Sequence, residues 1–387
     1  MNKLLLIVFL VSANFASSQD KACNCSDELE NVSHLITNAK SYKVFVNNAT
    51  KKTEFENWKS KIKNEIASDS LSSFFCSGYL QKYISFIPDR HNTIYNIPDS
   101  ISTAIPTYSK VVDTTKITSE IDGIYYAGTH KIYLKRETDS IWFGIMMTYK
   151  SPNWPAGKIR MRIKKLPNGK FEIFEYFPNG ILSYQNNIEI NGGRIHSTFW
   201  NKQNKYFFNK NYESNFTYKE VNANYDYIGI KTLSRTTTLM KEAAEFYKNT
   251  LPKLTKTNLI IDFRNNGGGA ELQAKELLKS IKKNKSIKNI FVITNFQTGS
   301  AAEIITLELK KDKRTITVGE NSKGMLQFGY GNNSFSAETD CFNYNVSFST
   351  EQNNSKFSFY EYVGIKPDFA LTNTSDWIEQ INNLLSR

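Results

Sequence analysis

From Tyr227 onward, buried-strand patterns alternate with amphipathic helical patterns, which predicts an α/β domain of parallel or mixed sheet, preceded by a helical part and a β-rich part. Three observations support this architecture. Leu29, Val32, Leu35 and Ile36 share one face at helical spacing, as do Phe55, Trp58, Ile62 and Ile66, and Leu71 to Ile84 reads as a further helix. Between Thr93 and Tyr225 short runs alternate at period two, as in Lys131–Lys135, Lys158–Arg162 and Lys170–Phe174. Pro167-Asn168-Gly169, Pro178-Asn179-Gly180 and Asn191-Gly192-Gly193 supply turns between them, so this part should be antiparallel and barrel-like. In the last third, Tyr227–Ile230, Asn258–Phe263, Asn289–Thr294 and Thr315–Val318 read as strands. Thr236–Leu251, Ala270–Ile281 and Ala301–Lys311 read as the helices between them.

The expected organisation is a signal peptide over 1–19, a helical domain over 20–92, a β-rich domain over 93–225 and an α/β domain over 226–387. The leader follows from Lys3, the apolar run from Leu4 to Val11 and the small and polar residues through Ala16-Ser17-Ser18-Gln19. No other stretch approaches the roughly 18 to 20 apolar residues of a spanning helix. The mature chain is therefore expected outside the cytoplasm, at the periplasm, the cell surface or the medium. A chain of 387 residues with 40% hydrophobic and 13% aromatic content has ample material for more than one core.

The net charge of +12 invites a nucleic-acid reading, but the lysines are spread and no basic stripe with interleaved aromatics occurs. No nucleic-acid partner is expected. Cys23, Cys25, Cys76 and Cys341 allow three disulfide pairings, among which the sequence does not choose. Without clustered histidines, Cys23-x-Cys25 is a poor metal motif, and neither a metal nor another cofactor is called for.

Two segments carry chemistry. Asp262-Phe263-Arg264-Asn265-Asn266-Gly267-Gly268-Gly269 takes a buried strand into three glycines, whose amides can approach an anion or a developing oxyanion. No Gly-Lys-Ser or Gly-Lys-Thr follows, so it is not a phosphate loop. Thr298-Gly299-Ser300-Ala301-Ala302-Glu303 places a serine at a strand-to-helix turn, where the next amide and the helix dipole favour negative charge on its oxygen. Asp262 and Arg264, two apart on a strand, share a face and read as a structural pair. Glu303, in the first helical turn, reads as favouring the helix start.

These two segments, together with Val318-Gly319-Glu320-Asn321-Ser322-Lys323-Gly324 and Glu361-Tyr362-Val363-Gly364-Ile365-Lys366-Pro367-Asp368, resemble in order four blocks of the tail-specific serine peptidases, the C-terminal processing and tricorn-like S41-type family. The resemblance spans roughly Tyr227 to Leu371 and implies a ClpP/crotonase-like α/β fold there. It implies Ser300 as nucleophile, with an oxyanion hole from the backbone N–H of Ala301 and of Gly267 or Gly268. The processing branch of the family places a lysine after the Gly-Glu block. Here that position is Met325, and Lys323 lies two residues earlier, so a Ser300–Lys323 dyad requires a shifted loop. The tricorn-like branch uses a histidine from an Asp-Gly-His-Thr-like segment and a glutamate near the Gly-x-x-Pro-Asp block. Asp89-Arg90-His91-Asn92-Thr93 resembles the first, with Arg90 in place of glycine and Asn92 inserted, and Glu361 occupies the second. The expected function is thus a secreted endopeptidase acting on peptides or proteins, with Ser300 as nucleophile, His91 as base and Glu361 as orienter.

Two other readings compete. A catalytically silent binder of peptides or hydrophobic ligands could use the same fold, with 26 Phe and 21 Tyr to line a pocket. A generic esterase lacks support, since no Gly-x-Ser-x-Gly surrounds Ser300. No Gly-Leu-Gly-Phe-like carboxylate loop of a PDZ module is present, so recognition of a substrate C-terminus by such a module is not expected.

Overall fold

The computed structural model describes residues 23–148, 154–331, 334–341 and 343–384. The expected signal peptide lies outside them. Helices α1 (Cys25–Leu35), α2 (Lys40–Phe45), α3 (Ala49–Ser68) and α4 (Ser72–Ile84) come first. Asn24 caps α1 by accepting from the amides of Ser26 and Asp27, while Asp27 reaches back to the Asn24 N–H. This is the reciprocal box that fixes a helix start. Leu29 and Val32 of α1 and Phe55, Ile62 and Ile66 of α3 are buried, as their spacing predicts. Helix α4 is buried on nearly every side because it lies against a sheet: a Cβ built on Gly78 would meet Phe174 Cδ1 at 2.7 Å and Leu182 Cδ2 at 3.0 Å.

After β1 (Thr93–Tyr95) and the single turn α5 (Ile101–Ala104), six antiparallel strands form a meander in chain order. They are β2 (Gly123–Ala127), β3 (His130–Arg136), β4 (Ile141–Thr148), β5 (Ile159–Lys165), β6 (Phe171–Tyr176) and β7 (Leu182–Ile188). The two Pro-Asn-Gly turns join β5 to β6 and β6 to β7, each with its glycine at positive φ. Beyond β7 lies the small hairpin β8 (Ile190–Asn191) and β9 (Arg194–Ile195). Asn201 bridges to both Arg194 and Tyr126, linking this hairpin to β2 of the meander. Gln81 of α4 fastens the helix to this sheet: Nε2 donates to the carbonyls of Ile94 and Leu182, and Oε1 accepts from Tyr184 N. Helices and meander consequently share one core, in which Leu29, Phe55 and Phe75 are continuous with Ile132, Trp142 and Phe174.

The second sheet runs β10 (Phe216–Asn222), β11 (Tyr225–Ile230), β12 (Asn258–Asp262), β13 (Asn289–Thr294), β14 (Thr315–Gly319) and finally β19 (Phe369–Ala370). The β10–β11 pair is antiparallel and all other pairings are parallel. Helices α6 (Thr237–Thr250), α7 (Lys275–Lys283) and α8 (Ala301–Leu309) connect the parallel strands. Alternate strand residues pack to opposite sides. Leu259, Ile261, Ile290 and Val292 meet the layer of α6, α7 and α8. Ile260, Phe291, Ile293 and Val318 meet Phe208 and the C-terminal helix α9 (Trp377–Leu384). Burial on both faces explains the continuous apolar runs.

Between β14 and β19 the chain forms β15 (Phe328–Gly329), β16 (Phe335–Glu338), β17 (Asn345–Phe348) and β18 (Glu351–Gln352). Strand β1 pairs antiparallel with β17, Thr93 opposite Ser347, so the segment just after His91 is zipped to the last third of the chain. Disulfides Cys25–Cys76 and Cys23–Cys341 tie α1 to α4 and the start of the described chain to the β16–β17 connection. Among the described residues no helix is long and apolar enough to cross a membrane.

Inside the meander, burial and the neighbouring Arg160 guanidinium push His130 from 6.5 down to about 4. The unfolded chain therefore binds this proton first, so His130's contribution is complete above about pH 6.5 and is lost as pH falls toward 4. The loss is on the order of 3 kcal/mol at most. Thermal unfolding at about pH 7.5 and about pH 4.5 should show a drop in Tm that is clearly smaller in His130→Gln; an unchanged drop would remove His130 as its source.

Candidate active site

The C-terminal ends of β12, β13 and β14 converge at one edge of the parallel sheet, the usual position for a site in an open α/β sheet. Their loops are wired together. Asn265 N donates to Asn295 Oδ1 and Asn295 Nδ2 returns a bond to Asn265 Oδ1, at 2.9 and 2.6 Å. Thr298 Oγ1 donates to Phe263 O, and Gly299 N donates to Asn266 O. The glycine loop is thus locked to the turn that carries Ser300. Below it, Asp262 and Arg264 form the expected structural pair, fully buried, with Tyr227 Oη donating to the same carboxylate and Arg264 also bonded to Phe207 O.

Ser300 stands at the N-terminus of α8 with φ 52° and ψ −124°, a conformation that a side chain seldom adopts. A serine held in this way on a strand-to-helix turn projects its Oγ out of the loop, and such strain concentrates at functional positions. The turn is fixed by Glu303, completely buried one helical turn on. Its Oε2 accepts from Ser300 N and Met325 N, both at 2.9 Å, and its Oε1 accepts from Ser322 Oγ and Gly324 N at 2.5 and 2.7 Å. Burial raises the Glu303 pKa and these four donors oppose the rise.

Gly268 is the close approach. A Cβ there, at φ +100°, would lie 2.7 Å from Ser300 Cβ and 2.9 Å from Ala301 N. Of the three amides anticipated for an oxyanion hole, that of Gly268 is engaged by Asn266 Oδ1 at 2.9 Å. Gly267 N and Ala301 N have no acceptor among the described residues, and Gly267 is exposed.

His91 comes from 209 positions earlier in the chain to place Nε2 3.3 Å from Ser300 Oγ. Its ring is 3% exposed and stands edge-on to Tyr330, whose hydroxyl donates to His91 O. On the other side of the ring, Asp89 Oδ1 is 3.5 Å from Nδ1 and accepts from His91 N at 2.8 Å. Asp89 is buried, and its Oδ2 has no hydrogen-bond partner among the described residues.

Glu361 reaches the same loop but its oxygens meet backbone. Oε1 accepts from Arg90 N at 2.9 Å, and Oε2 accepts from Leu326 N and Gln327 N at 2.8 and 2.9 Å. Burial raises its pKa while these amides oppose the rise. The carboxylate beside the imidazole thus belongs to Asp89, which the sequence analysis used only to recognise the segment. The signal available for it was the Asp-x-His spacing, which lets one carboxylate meet both the amide and the ring of the histidine.

Lys323 N donates to Thr298 O, and the Lys323 stem lies over Gly299, where a Cβ would meet its Cδ at 3.4 Å. Its side chain is exposed, and its ammonium has no hydrogen bond or ion pair among the described residues. The surrounding protein and the charge of Arg90 hold its pKa below the ordinary value, with Glu303 opposing.

No protein-family model matches the sequence, and no curated protein matches it. Among solved structures it is similar to the photosystem II D1 C-terminal processing protease, at 13% identity and a TM-score of 0.38 over 94% of this chain and 98% of that one. It is also similar to mature CPAF complexed with lactacystin, at 11% identity and a TM-score of 0.43 over 93% and 97%. A third is the tricorn protease, at 12% identity and a TM-score of 0.39 over 93% of this chain and 37% of that one. These neighbours are S41 family peptidases.

Replacing Glu303 by Gln leaves one acceptor oxygen for four donors and sets an amide N–H₂ against the rest. Glu303→Gln is expected to cost about 2–4 kcal/mol and to lower Tm by several degrees; calorimetry showing a wild-type Tm would refute the role given to this carboxylate.

Proposed function

We propose that this protein is an exported serine peptidase that cleaves peptide bonds through an acyl-enzyme on Ser300. The observation that carries the proposal is the 3.3 Å approach of His91 Nε2 to the Oγ of a serine held at positive φ. In the neutral ring the proton sits on Nδ1, toward Asp89, and Nε2 takes the Ser300 proton as Oγ bonds to the scissile carbonyl carbon. The carbonyl oxygen becomes an oxyanion, for which the free amides of Gly267 and Ala301 are the available donors. The tetrahedral adduct collapses with loss of the amine, which takes the proton from Nε2, and water then releases the acid by the same route.

Asp89 is assigned the role of steadying the imidazolium, and Glu361 that of holding the Arg90–His91 backbone against the 326–327 segment. The contacts at Nε2 and Nδ1 are long for hydrogen bonds, as they often are before substrate binds. The two disulfides, which persist in oxidising compartments, support export.

The test is the rate of labelling of the purified mature protein by a fluorophosphonate. Wild type should label, Ser300→Ala should not, and His91→Ala and Asp89→Asn should each slow labelling by on the order of 10²–10⁴. Glu361→Gln should lower Tm as well as slow labelling. A folded wild type that never labels would defeat the proposal.

A further inference from the structure

The two glutamates around Ser300 are already committed to hydrogen bonds. Glu303 accepts four hydrogen bonds, Glu361 accepts three from backbone amides, and Asp89 is buried under His91. Two cations in the same place have no acidic partner among the described residues. The exposed Lys323 rests its stem on Gly299, next to the nucleophile. Arg90, next to His91, lays its guanidinium over the Tyr362 ring at 4.7 Å, and its Nε is buried without a hydrogen-bond partner. The two cations are joined through one short path, because Tyr362 N donates to the carbonyl of Gly324, the residue after Lys323.

A lysine that feels the charge of a neighbouring arginine and has no acidic partner among the described residues is poorly accounted for by folding, since like charges at short range disfavour each other. It is well accounted for by an anionic ligand group arriving between them, where a guanidinium offers a forked pair of donors and an ammonium a point charge. We infer that Lys323 and Arg90 form a carboxylate-binding subsite flanking the scissile bond, so that the substrate carries a carboxylate within a residue or two of the bond attacked by Ser300. The carboxylate could come from an Asp or Glu side chain or from the substrate's own C-terminus. The inference rests on the peptidase reading for its substrate class, while the subsite itself can be tested without turnover.

The experiment measures anisotropy of three fluorescent peptides of one neutral sequence titrated with the full mature Ser300→Ala protein. One peptide is C-terminally amidated, one is amidated with a single internal Glu, and one has a free C-terminal acid. At least one anionic peptide should bind about tenfold more tightly than the neutral one, a difference of about 1.4 kcal/mol, and that advantage should shrink with added salt. Lys323→Gln and Arg90→Gln, each in the Ser300→Ala background, should each remove most of the advantage and leave the neutral peptide unchanged. Whichever anionic peptide gains identifies the source of the carboxylate.

Equal affinity for all three peptides would overturn the inference, as would an advantage that survives both substitutions. Failure of all three to bind, when wild type reacts with the fluorophosphonate, would overturn it too. A wild type that does not label but whose Ser300→Ala variant still prefers the anionic peptide would instead sink the peptidase reading and leave the subsite standing.

Discussion

Glu361 takes the amide of Arg90 on one carboxylate oxygen and the amides of Leu326 and Gln327 on the other. The geometry at Ser300 depends on this bridge, because His91 and Ser300 lie far apart in the chain and in different layers of the fold. The His91 segment leaves the end of α4, packed in the core shared by the helices and the meander, and would otherwise be an exposed connection free to move. Three charge-assisted bonds, each typically worth about 1.5–3 kcal/mol, are enough to fix it if the carboxylate stays ionised. The β1–β17 pairing and the Asn92 Oδ1 bond to Ser349 N hold the same segment from its other end. A strand on one side and a carboxylate on the other leave the imidazole little freedom.

The Ser300 side is built by a parallel device. The positive φ of Ser300 costs on the order of 1–3 kcal/mol, and the close contact with Gly268 excludes any side chain there. Glu303 offsets that cost by collecting Ser300 N together with three donors of the 322–325 loop. One carboxylate therefore sets both the serine turn and the path of the Lys323 backbone. Both bridging glutamates are buried against a desolvation penalty that raises their pKa values. Leaving such a carboxylate without its donors would cost more than the bonds yield, so the loops and the acids specify one another.

Local patterns in the sequence were enough for the parts of this structure that are themselves local. The Pro-Asn-Gly turns, the faces of α1 and α3, the apolar strands of the second sheet and the serine at a strand-to-helix turn each depend on neighbours within a few residues. What could not be read depends on partners far along the chain. Nothing in Thr93-Ile94-Tyr95 says that it pairs with Asn345–Ser347, and nothing in the spacing of four cysteines selects Cys23–Cys341. The breadth of α4's burial follows from the sheet it lies against, so the helical and β-rich parts read as separate while sharing a core. Glu361 illustrates the same limit: its position beside the site was legible, whereas its three amide partners were not, because backbone donors leave no mark in a sequence.

In the proposed mechanism, the preference for a histidine over a lysine as base rests on protonation as well as distance. A base must be neutral when it accepts the serine proton, and an imidazole meets that condition near neutral pH without help from its surroundings. An ammonium meets it only if its pKa falls by several units, which requires loss of solvent and of nearby negative charge. At Lys323 the surrounding protein and Arg90 lower the pKa while Glu303 opposes them, and the ammonium makes no hydrogen bond to Ser300 among the described residues. His91, in contrast, is withdrawn from solvent, with Asp89 Oδ1 3.5 Å from Nδ1 and the Ser300 hydroxyl 3.3 Å from Nε2. On the proposed reading, Lys323 is left as a charged group beside Ser300, where it would act on the substrate instead of on the serine.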